Sequence, residues 1–201
     1  MQIKNIIFDL GGVLVGLDPQ RCINAFEQIG AKSVAEYVRN HRTEDLFYDT
    51  EVGNISTRTF CHEVRRLCGI KVHDEDIIWA WNRLLTEIPD QKKLRLLEWR
   101  DKGLRLFLLS NTNEIHWNYC AEELFPYQRW VAEDYFEQIY LSYELHKIKP
   151  QHDIFKAVLD DAGLQANQTL FIDDSKDNCR VAEELGLHTF HNARPDDWLR
   201  I

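Results

Sequence analysis

Nowhere in the 201 residues does an apolar run approach the roughly 18 needed to cross a bilayer, and the opening MQIKNIIFDLGG meets a charge at Asp9 before a leader-length apolar stretch accumulates. A soluble chain with no membrane partner is the expectation. Positive charge is also scarce. Twenty-four Lys and Arg stand against 33 Asp and Glu, a formal net charge of -9, which disfavours docking on DNA, RNA or anionic lipid and leaves small anions where the local field is positive. Cys22, Cys61, Cys68, Cys120 and Cys179 are odd in number and show neither CxxC nor Cys/His spacing. A disulfide framework and a zinc site are therefore not expected, and reduced thiols point to a cytoplasmic protein. Repeats and low-complexity segments are absent. Hydrophobic residues make up 44% of the chain, enough for a packed core.

Short apolar runs bounded by turn signals occur at Ile3 to Phe8, Leu104 to Leu109, Ile139 to Leu141, Thr169 to Ile172 and, more weakly, His188 to Phe190. Helical patterns lie between the later ones, at about 90 to 102, 113 to 124, 151 to 162 and 176 to 185, with Gly103, Gly163 and Gly186 where C-caps belong. This alternation predicts an α/β fold, a three-layer Rossmann-like core with a parallel sheet. Residues 17 to 88 break the rhythm. They offer amphipathic helices at Pro19 to Ile29, Val34 to Asn40, Thr57 to Leu67 and Glu75 to Glu87, and a turn at Glu51 to Ile55 before an N-cap at Ser56, but no convincing strand. The expected organisation is a core of 1-16 and 89-201, with a helical insertion of 17-88 placed to cover the ligand crevice as a lid.

Carboxylates close two of the strands, at Asp9 and at Asp173-Asp174. In a parallel sheet the carboxyl ends of neighbouring strands share one crevice, so these acids are expected to converge. Adjacent carboxylates repel and need a cation, and oxygen donors without a His or Cys cluster favour a hard ion such as Mg2+. Asp9 precedes Gly11-Gly12, a tight turn that suits a nucleophile. Ser110 and Asn111 place a hydroxyl and backbone N–H groups near a helix start, suited to phosphate oxygens, with Thr112 and Asn113 as candidate caps. Lys149, before Pro150, suits neutralisation of a phosphate and of an attacking carboxylate. Trp79 and Trp81 are two apart on a predicted helix and cannot share a face.

FDLGGVLV, LLSNTN, KIKP and LFIDDS, in this order, resemble the four motifs of the haloacid dehalogenase-like hydrolases. The insertion resembles the C1-type cap of the phosphatase branch, and the motif context is similar to bacterial α-D-glucose-1-phosphate phosphatases. The resemblance implies a Mg2+-dependent phosphatase of small phosphorylated metabolites, sugar phosphates foremost, as a monomer or homodimer. It implies that Asp9 attacks phosphorus to form an aspartyl-phosphate, with Ser110, Asn111 and Lys149 gripping the phosphoryl group. It further implies that Asp9, Asp174, the Gly11 carbonyl and, through a water, Asp173 hold the metal, with Asp177 either supporting that shell or beginning a helix.

Gly11 departs from the pattern, since most phosphatases of the family carry there an Asp that protonates the leaving group. Such assistance is worth about 100- to 10,000-fold. An anomeric leaving oxygen would need it less, and His41, His62 and Glu51 are unranked candidates to replace it. His146 stands where the family usually has Gly, with Lys147 next to it; the expected reading is tolerated loop variation. Two alternatives stay open: a catalytically weak phosphometabolite-binding or regulatory protein, favoured by Gly11, and a 2-haloacid dehalogenase, disfavoured by the paired acids.

Overall fold

The computed structural model describes residues 2–40 and 46–201; His41 lies outside them. Strand β1 (Asn5–Phe8) is followed by α1 (Pro19–Gln28), α2 (Lys32–Arg39), α3 (Leu46–Glu51), α4 (Thr57–Cys68) and α5 (Asp74–Asn82). Then come α6 (Asp90–Asp101), β2 (Arg105–Ser110), α7 (Glu114–Tyr119) running into a π turn at Cys120–Leu124, α8 (Ala132–Tyr135), β3 (Gln138–Leu141), α9 (Ser142–Leu145), α10 (His152–Asp161), β4 (Thr169–Asp173), α11 (Lys176–Glu184) and β5 (His188–His191). The five strands fall on the five apolar runs and form one parallel sheet in the order β3-β2-β1-β4-β5.

Side chains alternate across the sheet, as its pleat requires. Ile6, Phe8, Leu106, Leu108 and Ile172 pack on one face with Leu96 and Trp99 of α6. Ile7, Phe107, Leu109 and Phe171 pack on the other with Ile154, Phe155 and Val158 of α10 and Val181 of α11. Both faces are covered, which is why these strands read as continuous apolar runs. A third cluster joins α1 to α5 through residues such as Phe26, Val34, Phe60, Ile77 and Trp81, and Ile115 of α7 extends into it. Trp81 is buried and stacks on Phe60 at 4.1 Å between ring centroids, whereas Trp79 is exposed.

The predicted caps hold at Ser56, whose Oγ accepts from Thr59 N, and at Gly103, Gly163 and Gly186, all at positive φ. Asn113, not Thr112, caps α7. The helix expected over Glu75 to Glu87 stops at Asn82. Beyond it the chain pairs with the segment entering the helical block: Asp18 N donates to Leu84 O (2.8 Å), Thr86 N to Gly16 O (2.9 Å) and Gly16 N to Glu87 O (3.1 Å). Entry and exit thus run antiparallel, and the backbone groups a longer helix would have bonded internally find partners across this pair. The short helices α3, α8 and α9 were not expected, because four to six residues are too few to show a period.

Candidate active site

Register places the site. Phe8 lies opposite Leu108 on one side and Ile172 on the other, so Asp9 leaves the sheet between the ends of β2 and β4. That is where strand order reverses, with β2 and β3 to one side of β1 and β4 and β5 to the other. Lys149, carried in from the loop after α9, fills the gap. Its Nζ donates to Asp9 Oδ1 (2.7 Å), Asp173 Oδ2 (2.7 Å) and Leu109 O (3.0 Å), so all three ammonium hydrogens are used. Lys149 and Asp173 are fully enclosed, and Asp9 is 8% exposed.

Burial alone would lower the Lys149 ammonium, but the charges of Asp9 and Asp173 outweigh it and hold the lysine protonated. Burial pushes the Asp9 carboxyl up to about 7 against the pull of Lys149. Asp174 is raised too, by burial and then by the charge of Asp173. One ligand atom from each of Asp9, Asp173 and Asp174 lies within 4.8 Å of the others. Three carboxylates around one ammonium leave surplus negative charge and oxygen-only donors, which suits a divalent hard cation.

Asp173 is held by several donors. Besides Lys149, it accepts from Ser175 N (2.8 Å) and from Asn178 Nδ2 (3.0 and 3.1 Å). Asp174 keeps its carboxylate outward, against the backbone of Gly12. A Cβ at Gly12 would stand 2.3 Å from Asp174 Oδ2, and φ there is +72°. Gly12→Ala is therefore expected to displace Asp174 and strain the turn, raising the Mg2+ concentration needed for half-maximal activity by about 10-fold or more. Titration of activity with Mg2+ checks this, and an unchanged half-saturation point would count against it.

The turn after Asp9 is held by groups that sequence reasoning did not single out for the site. Lys92 Nζ donates to Val13 O (2.6 Å) and Leu14 O (3.2 Å), Trp198 Nε1 to Val13 O (3.2 Å) and Asn192 Nδ2 to Gly12 O (3.0 Å). A lysine on a polar helix gives no sequence signal of this, yet Lys92 is 2% exposed.

The Asn111 side chain is turned to the lysine loop. Its Oδ1 accepts from Lys149 N (2.8 Å) and its Nδ2 donates to Lys149 O (2.9 Å), so it fixes the loop that carries the lysine. Ser110 is buried at the end of β2, and Ser110, Asn111 and Gly11 line a cavity of about 280 Å³. Its far wall is helical block: Tyr37, Phe47, Glu51 and Trp81. His116 joins the two sides. Its Nε2 meets Trp81 O at 3.2 Å and its Nδ1 meets Asn113 Nδ2 at 3.1 Å, an arrangement satisfied by the neutral Nε2–H tautomer. Burial lowers its pKa to about 4. Of the unranked proton donors, His62 is exposed and does not line the cavity, whereas Glu51 does. Asp177 sits in the first turn of α11, exposed and paired with Arg180 at 3.7 Å. His146 is not mere loop variation: its Nδ1 meets Val52 O at 2.8 Å, fastening the helical block, while Lys147 pairs with Asp153 at 3.6 Å.

The family model for haloacid dehalogenase-like hydrolases matches residues 3–186. The chain belongs to this family. Among curated relatives of this hydrolase, D-ribitol-5-phosphate phosphatase of Bacteroides thetaiotaomicron is 32% identical over 196 residues, 98% of this chain and 95% of that protein. A crystal structure of a family enzyme from the same organism, in complex with magnesium and inorganic phosphate, has a TM-score of 0.89 and 45% identity, covering 94% of this chain and 93% of that one. L-2-haloacid dehalogenase from Xanthobacter autotrophicus, at 20% identity and a TM-score of 0.63 over 94% of this chain and 76% of that one, shares the fold alone.

Proposed function

We propose that this haloacid dehalogenase-like hydrolase is a Mg2+-dependent phosphatase of small sugar or polyol phosphates that works through an aspartyl-phosphate at Asp9. The observation that carries the reading is the buried Asp9–Lys149–Asp173 chain beside Asp174, with Leu10 and Gly11, the residues next to Asp9, lining a small-molecule cavity that helices roof. The relative named for D-ribitol 5-phosphate supports the substrate class, and the neighbour crystallised with magnesium and phosphate supports the ligands. In this reading residues 17-88 form the cap and 1-16 with 89-201 the catalytic core. Asp9, Asp174 and the Gly11 carbonyl would hold Mg2+, with Asp173 reaching it through water, and the ion would offset the surplus carboxylate charge and polarise the phosphoryl oxygens.

Lys149 holds the Asp9 oxygen at a set place and neutralises charge on the phosphoryl group as it arrives. Ser110 and the backbone N–H groups that follow it grip the phosphate oxygens, while Asn111 steadies the lysine loop and has one further amide hydrogen to offer. Asp9 attacks phosphorus in line, the alcohol departs, and water then hydrolyses the acyl phosphate. A cavity of this size excludes polymers and admits a small metabolite.

The test is phosphate release from a panel including D-ribitol 5-phosphate and α-D-glucose 1-phosphate, with Mg2+ or with EDTA, for wild type and Asp9→Asn. Release that requires Mg2+ and falls to background in Asp9→Asn is expected. Silence across the panel under Mg2+ would overturn the reading and favour a phosphometabolite sensor, the alternative for which the missing side chain at Gly11 argues.

A further inference from the structure

Breaking the P–O bond of an ordinary alkyl phosphate leaves an alkoxide, which departs slowly unless a proton meets it. The 5-phosphate of a polyol is such an ester, on a primary alcohol. Among the described residues at the phosphate end, Asp9 is the nucleophile and Asp174 a metal ligand in this reading, and the others have no proton to give. Lys149 spends its three hydrogens, Asp173 accepts throughout, and Gly11 has no side chain. Among the described residues, the cavity wall offers four ionisable side chains, Cys22, Tyr37, Glu51 and His116. His116 is neutral, and its Nε2–H is taken by Trp81 O. The Cys22 thiol is pushed up to about 12 by burial. A phenol is a far weaker acid than a carboxyl, which disfavours Tyr37.

Glu51 remains, and its backbone is tied to the phosphate end. Ser142 Oγ donates to Glu51 O (2.6 Å) and accepts from Thr112 N (2.9 Å), two residues beyond Ser110. The next residue, Val52, is fastened by His146, and Gly53 is packed so closely on Tyr143 that a Cβ would stand 2.0 Å from its carbonyl oxygen. The backbone of three consecutive residues of the helical block is thus tied to α9 and the turn after it, at a point where the Glu51 side chain lines the cavity.

We propose that Glu51 is the general acid that protonates the leaving oxygen and then the general base for the hydrolytic water, a role that rests on the phosphatase reading. In the first step the Asp9 oxygen bonds to phosphorus, the P–O bond to the alcohol breaks, and the Glu51 proton passes to that oxygen, leaving a carboxylate. In the second, Glu51 takes a proton from water as its oxygen bonds to phosphorus, the bond from phosphorus to Asp9 breaks, and phosphate leaves with both carboxyl groups restored. Burial raises the Glu51 carboxyl to about 7, with no ion-pair or hydrogen-bond partner acting on it among the described residues, so both forms are accessible near neutrality.

The test compares two substrates on the Mg2+-loaded protein. D-Ribitol 5-phosphate, or the panel's best sugar phosphate, needs a proton on its leaving group; 2,4-dinitrophenyl phosphate does not. In Glu51→Gln, turnover of the sugar phosphate is expected to fall about 100-fold or more. The same variant should still give a rapid burst of dinitrophenol, close to one per enzyme, followed by slow turnover as the aspartyl-phosphate persists. Glu51→Ala, read in the same way, guards against a local fault peculiar to Gln. Equal losses in the burst and in sugar phosphate turnover, or no loss in either, would overturn the assignment. Failure of the phosphatase reading looks different, because wild type itself would then release phosphate from neither substrate.

Discussion

Lys149→Met is expected to abolish phosphate release, by about 1000-fold or more, and to destabilise the apo fold by about 3 to 5 kcal/mol. The substitution keeps an unbranched chain of similar length but removes the charge between Asp9 and Asp173, whose facing oxygens are each 2.7 Å from Nζ. Two enclosed carboxylates are left within 4.8 Å of each other with no cation between them. One of them must then keep a proton. A carboxyl with a raised folded pKa contributes stability below its unfolded value, near 4, and loses it as pH rises through the folded value. The deficit of the variant relative to wild type should therefore grow from pH 5 to pH 8. Urea unfolding of both proteins in EDTA across that window measures it, EDTA keeping metal linkage out of the comparison. A variant as stable as wild type at pH 8 would show that Lys149 does not neutralise the pair.

Acid should weaken the joint between helical block and core. His116 is buried and neutral, its pKa lowered to about 4 from 6.5 by burial. The unfolded chain binds this proton between about pH 6.5 and pH 4 while the folded chain refuses it. The stability present above 6.5 is accordingly lost as pH falls through that interval, by about 3 kcal/mol at its lower end. His116→Gln lacks the titrating ring and should flatten the dependence, at a cost near neutrality because Trp81 O and Asn113 Nδ2 lose well-aimed partners. Unfolding free energies of the two proteins at pH 7.0, 5.5 and 4.5 decide the matter. Parallel curves would assign acid sensitivity elsewhere.

Much of this protein can be read along the chain, and the reasons are local. The central strands β1, β2 and β4 are buried on both faces and so are continuous apolar runs; α6, α10 and α11 are each followed by a glycine at positive φ; β1 and β4 lead directly into acids, at Asp9 and at Asp173-Asp174. Those features need only neighbours in sequence. Asp9, Asp173-Asp174, Ser110 and Lys149 were singled out in this way, and the structure brings them to one end of the sheet. The helical block was legible as an interruption of the alternation, although its exit was read as helix where the backbone pairs with the entry segment at Gly16 and Asp18 instead.

What sequence alone determined is the alternation of strands and helices, the parallel sheet that follows from it, and the residue types at the strand ends, because hydrophobic periodicity and turn chemistry act over a few residues. Tertiary structure decided which partners those residues keep. Asn111 turns to the Lys149 backbone, Lys92 is drawn under the turn after Asp9, His146 fastens Val52, and Glu51 rather than His62 faces the cavity. Each of these contacts joins residues at least 38 positions apart or selects one helix face over another. No local pattern encodes such choices: they follow from where a buried donor finds its acceptor once the layers have packed.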